Sequence, residues 1–325
     1  MGISVVPKEA QEKTVRAETI SVIIPVSERY DDIGEMHREY RDALLLAGVP
    51  FEMIYVVEGG FGKVYLELKA MKEQGEKLTL IRHSRQFGEA VAITSGFLQS
   101  VGGIIMTLPA YHQVDAADLP KMIGSMGDHD MVVARRWPRS DSKWNQLQTR
   151  LYHNLVSRMA GNVCNDIGCS VRLFRRKILE EIHIYGDLHR FLPILSHRQG
   201  FRIKEVDLRQ SPKERRVRAY PFGIYIRRMI DLLTVFFLIK FTKKPLRFFG
   251  LTGSAILGVG LVLTFYLVIS RLFFAVALSD RPLFLIGILF VVLGLQIFAI
   301  GLVGEIIIFT HAREIKEYTI EEIIN

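Results

Sequence analysis

Two periodicities divide the chain. From residue 21 to residue 136, short apolar runs rich in β-branched residues alternate with stretches of helical spacing. SVIIPV (21–26), FEMIYVV (51–57), KLTLIRH (77–83), GGIIMTL (102–108) and DMVVARR (130–136) read as strands, and residues 31–47, 62–74 and 88–100 as helices between them. Strands that are apolar almost throughout predict a parallel sheet covered on both faces, an α/β class of Rossmann-like kind. Such sheets bind ligands at the carboxyl ends of their strands. The candidate site therefore lies in the loops after Val26, Val57, His83, Leu108 and Arg136.

The C-terminal pattern is different. Residues 248–270 carry no charge, and residues 283–310 are interrupted only by Gln296 and Glu305. About 20 apolar residues suffice to cross a bilayer core as a helix, so both runs predict transmembrane spans. The linker, RLFFAVALSDRP, is too short for a domain, and the spans form a hairpin. Lys240, Lys243, Lys244 and Arg247 precede the first span, Arg313 and Lys316 follow the second, and the loop between has only Arg271 and Arg281. This asymmetry predicts a multi-pass cell-membrane protein with both termini cytoplasmic. Gly253, Gly258, Gly260, Gly287, Gly294, Gly301 and Gly304 allow close helix approach, either within the hairpin or in a homo-oligomer. Glu305, a turn from the end of its span, reads as a structural group rather than part of an ion path. Upstream, GIYIRRMIDLLTVFFLIKF suits an amphipathic helix in the interface plane, or a surface helix of the preceding domain.

Composition changes this picture in two places. Of the net charge of +8, a surplus of seven lies between residues 205 and 247, where eleven cations face four anions. Placed directly before the first span, that segment suits an anionic membrane face better than nucleic acid. The two cysteines, Cys164 and Cys169, exclude a disulfide scaffold, and a lone C-x4-C pair is no zinc site. The first residues carry no apolar leader behind their charges, so no secretory signal is expected there. The expected organisation is a polar tail (1–18), a cytoplasmic domain (19–210), a basic loop with a juxtamembrane helix (211–247), the hairpin (248–310) and a cytoplasmic tail (311–325).

SVIIPVSER, RHSRQFGEAVAITSGF, NDIGCSVRLFRR, LHRFLPILSHRQGFRIKEV and the spans ending GLVGEIIIFTHAREI occur in an order and spacing that are specific together. In this the chain, from residue 21 onward, resembles family 2 glycosyltransferases of the polyprenyl-phosphate sugar synthase type, related to dolichol-phosphate mannose synthase. The resemblance implies a GT-A type domain that takes a nucleotide sugar and passes the sugar to a polyprenyl phosphate at the cytoplasmic membrane face. It also implies Mg²⁺ or Mn²⁺, which offsets charge on the leaving diphosphate through carboxylate ligands.

Those ligands are missing. Where the family carries D-x-D after its fourth strand, an ungapped match places Pro109, Ala110 and Tyr111, while Gln113 and Asp115 keep the register. No metal is expected at these three positions. Glu58, His112 and Asp115 are the alternatives for a metal held in altered geometry, Asp115 weakly. The D-D-G-S-type turn of the second strand becomes Val57, Glu58, Gly59 and Gly60, leaving Glu58 alone. By resemblance, Pro25, Glu28, Glu58, Arg85 and Gln113 fall to the nucleotide sugar. Lys213, Arg215, Arg216, Arg218 and Tyr220 fall to diphosphate or lipid phosphate, and Asp166 is a candidate base. Glu28 and Arg85 read equally as solvated loop charges, and Asp166 as the cap of the turn at Gly168. Three functions stay open: a transferase whose basic loop replaces the metal, a transferase-fold partner of a membrane glycosylation enzyme without catalysis of its own, and a module binding polyprenyl phosphate or anionic phospholipid.

Overall fold

The structure, a computed structural model, describes residues 16–138, 163–214, 245–274 and 282–311. The chain divides into two compact units, one N-terminal and one holding the apolar helices. In the first, β1 (Arg16–Val26), β2 (Phe51–Val57), β3 (Leu78–Arg82), β4 (Gly102–Thr107), β5 (Met131–Arg136), β6 (Arg172–Arg175) and β7 (Ile203–Leu208) form one sheet in the order β3-β2-β1-β4-β6-β5-β7.

Period-two alternation sends successive side chains to opposite faces. Val22, Ile24 and Val26 of β1, with Tyr55 and Met106, pack on one face beneath α1 (Ile33–Leu46), α2 (Gly62–Glu73) and α4 (Leu119–Gly124). Ile23, Ile105, Met131 and Phe174 pack on the other, beneath α3 (Glu89–Gln99), α5 (Lys177–Glu181) and α6 (Leu192–Arg198). This double cover explains why the strands read as unbroken apolar runs.

The parallel sheet expected from the sequence needs one correction. β6 pairs antiparallel with both β4 and β5, while β7 runs parallel to β5, so one strand of the seven is reversed. Two arginines bracket two apolar residues in β6, a pattern too short to announce a strand. The reversal matters for function. The amino end of β6 lies at the same sheet edge as the carboxyl ends of the others, which brings the turn at residues 166–170 beside the loops that follow β1 and β4. The N-terminal boundary also shifts: β1 begins at Arg16, inside the expected tail, with Arg16 paired to Gly102.

In the second unit, α7 (Pro245–Phe274) and α8 (Pro282–His311) each have 30 residues, about 45 Å of helix at 1.5 Å per residue. Both are long and apolar enough to cross a membrane. Val262, Phe265, Leu285 and Leu295 are exposed along them, the reverse of a soluble core helix. Glycines let the two backbones touch: a Cβ on Gly294 would lie 2.4 Å from Leu257 N, and one on Gly253 2.6 Å from Phe298 N. Glu305 accepts the Leu246 amide (3.3 Å) and caps the start of α7, the structural role expected of it. The expected juxtamembrane helix lies outside the described residues.

Candidate functional site

The site forms where β1 and β4 end side by side, their register placing Ile23 opposite Thr107. The loop at residues 109–111, which the resemblance sets against the family's metal motif, is held from below. Tyr40 Oη donates to Pro109 O (3.1 Å), the Asp31 amide to Ala110 O (2.9 Å), and the His112 amide to Asp31 Oδ2 (2.9 Å). Pro109 is buried, and Ala110, 1% exposed, packs into the core. Tyr111 is the member of the trio left at the site. Burial first, and then the Glu89 carboxylate, push its phenol up to about 12, so it stays neutral.

Gln113 sits beneath Tyr111 and joins two loops. Its Nε2 donates to Tyr111 Oη (3.1 Å) and Gly168 O (3.3 Å), and its Oε1 accepts the Ser170 amide (2.9 Å). The resemblance gave Gln113 to the donor; here its hydrogen bonds are spent positioning the turn before β6.

Asp166 lies in that turn, 5% exposed, and meets Arg136 from the end of β5. Arg136 Nε donates to Oδ2 (2.8 Å), Nη2 to Oδ1 (2.9 Å), and the Arg136 amide adds a third bond (3.2 Å). Glu214 approaches the same guanidinium at 3.4 Å. Burial alone would lower the Arg136 pKa, but the Asp166 carboxylate outweighs it and holds the group well above its ordinary value. Both oxygens of Asp166 are thus committed to one arginine, an anchoring geometry rather than that of a carboxylate held ready for a substrate.

Other sequence candidates are similarly engaged. Glu58 is 2% exposed; its Oε1 accepts the Phe87 and Gly88 amides (3.0 and 2.8 Å) and so shapes the entry to α3, where Gly88 has φ +97°. It faces inward. Asp115 caps a 3₁₀ turn by accepting the Ala117 amide (3.1 Å) and lies 3.3 Å from Arg209. His112 Nε2 is 4.0 Å from Glu39. The alternative metal ligands Glu58, His112 and Asp115 therefore do not converge. Among the described residues, no group of three His, Cys, Asp or Glu side chains could hold a metal.

Lys213, expected at a phosphate, bonds instead to Glu35 (2.7 Å) and Glu39 (2.5 Å) of α1, and these two carboxylates raise its pKa. Glu28 is exposed and pairs with Arg190 at 3.1 Å. Arg85 lies over the Phe87 ring at 4.8 Å. Pro25 is buried within β1, opposite Val56. Arg215, Arg216, Arg218 and Tyr220 lie outside the described residues.

Two features were missed from the sequence. Glu89, at the start of α3, is half-buried 3.2 Å from His189; desolvation raises its pKa, but His189, Arg172 and Arg190 prevail and hold it lowered. The other is Arg29. Its guanidinium carbon lies 3.5 Å from the centroid of the Tyr111 ring, a close cation–π stack. Its Nε and Nη2 are shielded from solvent and have no hydrogen-bond partner among the described residues. The signal was present in two residues read together: Tyr111, an aromatic ring at the position the resemblance sets against the family's second carboxylate, and an arginine just past the neighbouring strand.

Seven strands with this order, with the site at their common edge, define a nucleotide-sugar transferase fold of GT-A type. The glycosyl transferase family 2 model matches residues 21–183, half of the chain, and the protein belongs to that family. It is 29% identical over 311 residues to the undecaprenyl-phosphate 4-deoxy-4-formamido-L-arabinose transferase of Enterobacter sp. (strain 638), covering 94% of each chain. A Pseudomonas aeruginosa (strain LESB58) protein of the same description is 29% identical over 314 residues, covering 94% of this chain and 91% of that one. Among solved structures, glucosyl-3-phosphoglycerate synthase from Mycobacterium tuberculosis, in complex with Mn²⁺, UDP and phosphoglyceric acid, superposes with TM-score 0.52. That match has 15% identity, covers 68% of this chain and 78% of the other, and supports the fold. The residues present here do not fit a divalent cation of the kind that complex contains: residues 109–111 offer no carboxylate, and a guanidinium stacks on Tyr111.

Proposed function

We propose that the protein transfers a sugar from a nucleotide-sugar donor to a polyprenyl phosphate at the cytoplasmic membrane face, without a divalent cation. The observation that carries this reading is similarity over 94% and 91% of the length of two undecaprenyl-phosphate transferases, which takes in 94% of this chain. In the transfer, an oxygen of the lipid phosphate attacks the anomeric carbon. The bond from that carbon to the diphosphate breaks, and the nucleoside diphosphate leaves with the electron pair. The second pKa of a phosphate monoester is about 6, so the acceptor is largely dianionic at neutral pH and has no proton to lose. A base at Asp166 is then unnecessary, which agrees with its commitment to Arg136. Asp166 is assigned instead as the residue that positions the turn at residues 166–170 beside the donor site.

The domain boundaries expected from the sequence, with β1 extended to Arg16, complete this reading. The hairpin anchors the catalytic unit, and the basic segment meets anionic head groups, with both termini cytoplasmic. A second reading, a transferase-fold partner without catalysis, is favoured by Glu58 and Asp115, carboxylates turned to structural duty.

The test is transfer from labelled UDP- and GDP-sugars to undecaprenyl phosphate by the purified full-length protein, in EDTA and with Mn²⁺. Labelled lipid formed in EDTA supports the first reading. Absence of product with every donor, from protein that remains folded, favours the second.

A further inference from the structure

The geometry points to Arg29 as a fixed cation for the donor diphosphate, clamped by Tyr111 in the position the metal motif vacates; this rests on the reading that the donor is a nucleotide sugar. A guanidinium has five N–H donors in a planar fork, and hiding two of them from water without partners is unfavourable unless something else supplies acceptors. The fully buried arginines of this edge are satisfied: Arg136 by Asp166, and Arg172 by the carbonyls of His189 and Arg190. Arg29 makes no hydrogen bond or ion pair among the described residues.

Three features say what it awaits. It lies at the carboxyl edge of the sheet, where α/β folds take phosphates. Its flat face is committed to Tyr111, which leaves the in-plane fork, the geometry that binds phosphate oxygens bidentately. The Tyr111 phenol is kept neutral, so the platform adds no negative charge to repel a diphosphate. A cation fixed in this way meets charge developing on the departing diphosphate without reorganising, which is the electrostatic service a divalent ion performs elsewhere.

Two phosphate sources share this chemistry, the nucleoside diphosphate and the polyprenyl phosphate; the assignment is to the former. The test is titration calorimetry of the full chain in detergent with UDP, GDP, inorganic pyrophosphate and undecaprenyl phosphate, each in EDTA. Wild type, Arg29→Gln, Arg29→Lys and Tyr111→Leu are compared, with thermal unfolding as the folding control. The expected result is nucleotide binding by wild type in EDTA, weakened at least tenfold in Arg29→Gln and less in Arg29→Lys and Tyr111→Leu. Undecaprenyl phosphate affinity is expected to stay unchanged.

Nucleotide binding by a folded Arg29→Gln protein that equals wild type would overturn the assignment while leaving transferase function intact. So would wild-type binding that requires Mn²⁺. Selective loss of undecaprenyl phosphate affinity would give Arg29 to the acceptor and overturn the donor assignment. Wild-type protein that binds no nucleotide with or without metal would overturn the donor reading, and this inference with it.

Discussion

Two arginines at one sheet edge, Arg136, which is buried, and Arg29, which is half-buried, have opposite surroundings. Arg136 ends β5 among carboxylates: Asp166 grips it twice, and Glu214 stands at 3.4 Å. Arg29 follows β1, lies on an aromatic ring, and has Nε and Nη2 unpaired among the described residues. A saturated buried ion pair tells of architecture, because removing one partner strands the other. An unsaturated cation costs the fold something and stabilises it little, so its presence is better explained by a ligand.

That contrast can be broken in four places. The largest effect is expected at Asp166→Ala, which leaves Arg136 buried with its main carboxylate partner gone and only Glu214, at 3.4 Å, beside it. Loss of one partner of such a pair costs about 3–5 kcal/mol, read as a lowered midpoint in denaturant or heat. Glu58→Ala should cost less, about 2 kcal/mol, through the stranded amides of Phe87 and Gly88; protection of those amides from hydrogen exchange is the local readout.

His37 provides a smaller, pH-dependent effect. It is fully buried between Tyr55 Oη (3.0 Å) and Glu76 (3.3 Å), and burial lowers its pKa below the usual 6.5 despite Glu76. Between the folded pKa and about 6.5, the unfolded chain binds the proton more readily. Its contribution to stability is therefore complete above pH 6.5 and declines as pH falls below that value. The unfolding temperature should drop from pH 7 to pH 5, and the drop should be shallower in His37→Gln. Smallest of all is Arg29→Gln, for which ligand-free stability should stay unchanged or rise slightly. A substantial fall in its unfolding temperature would place Arg29 with Arg136 as a structural group.

The same contrast explains what was legible in the sequence. β1 to β5 announced themselves through apolar runs that both layers of helices require. β6 did not, because four residues with an arginine at each end carry no period. β7, IKEVDL, lies at the sheet's edge, where half-exposed alternation gives a weak signal. The hairpin was plain from length and composition, since lipid-facing helices need apolar residues all round.

At the site, sequence located the loops but not the partners. Lys213 reads as a phosphate ligand until Glu35 and Glu39, one and two turns along a distant helix, appear beside it. Asp166 reads as a base until Arg136 does. Pairing across the fold decides which charges are free to act, and sequence distance conceals it. Arg29 was hidden for the converse reason: a charge in a polar loop looks solvated, and only the β1–β4 register brings it onto Tyr111.

The most direct measurement of the central claim, a donor site that works without metal, is the initial rate of sugar transfer to undecaprenyl phosphate as free Mn²⁺ is varied from chelated to millimolar levels. A rate that is independent of metal in wild type and lost in Arg29→Gln is the predicted result. A rate that rises saturably with Mn²⁺ from a chelated baseline of zero would contradict it.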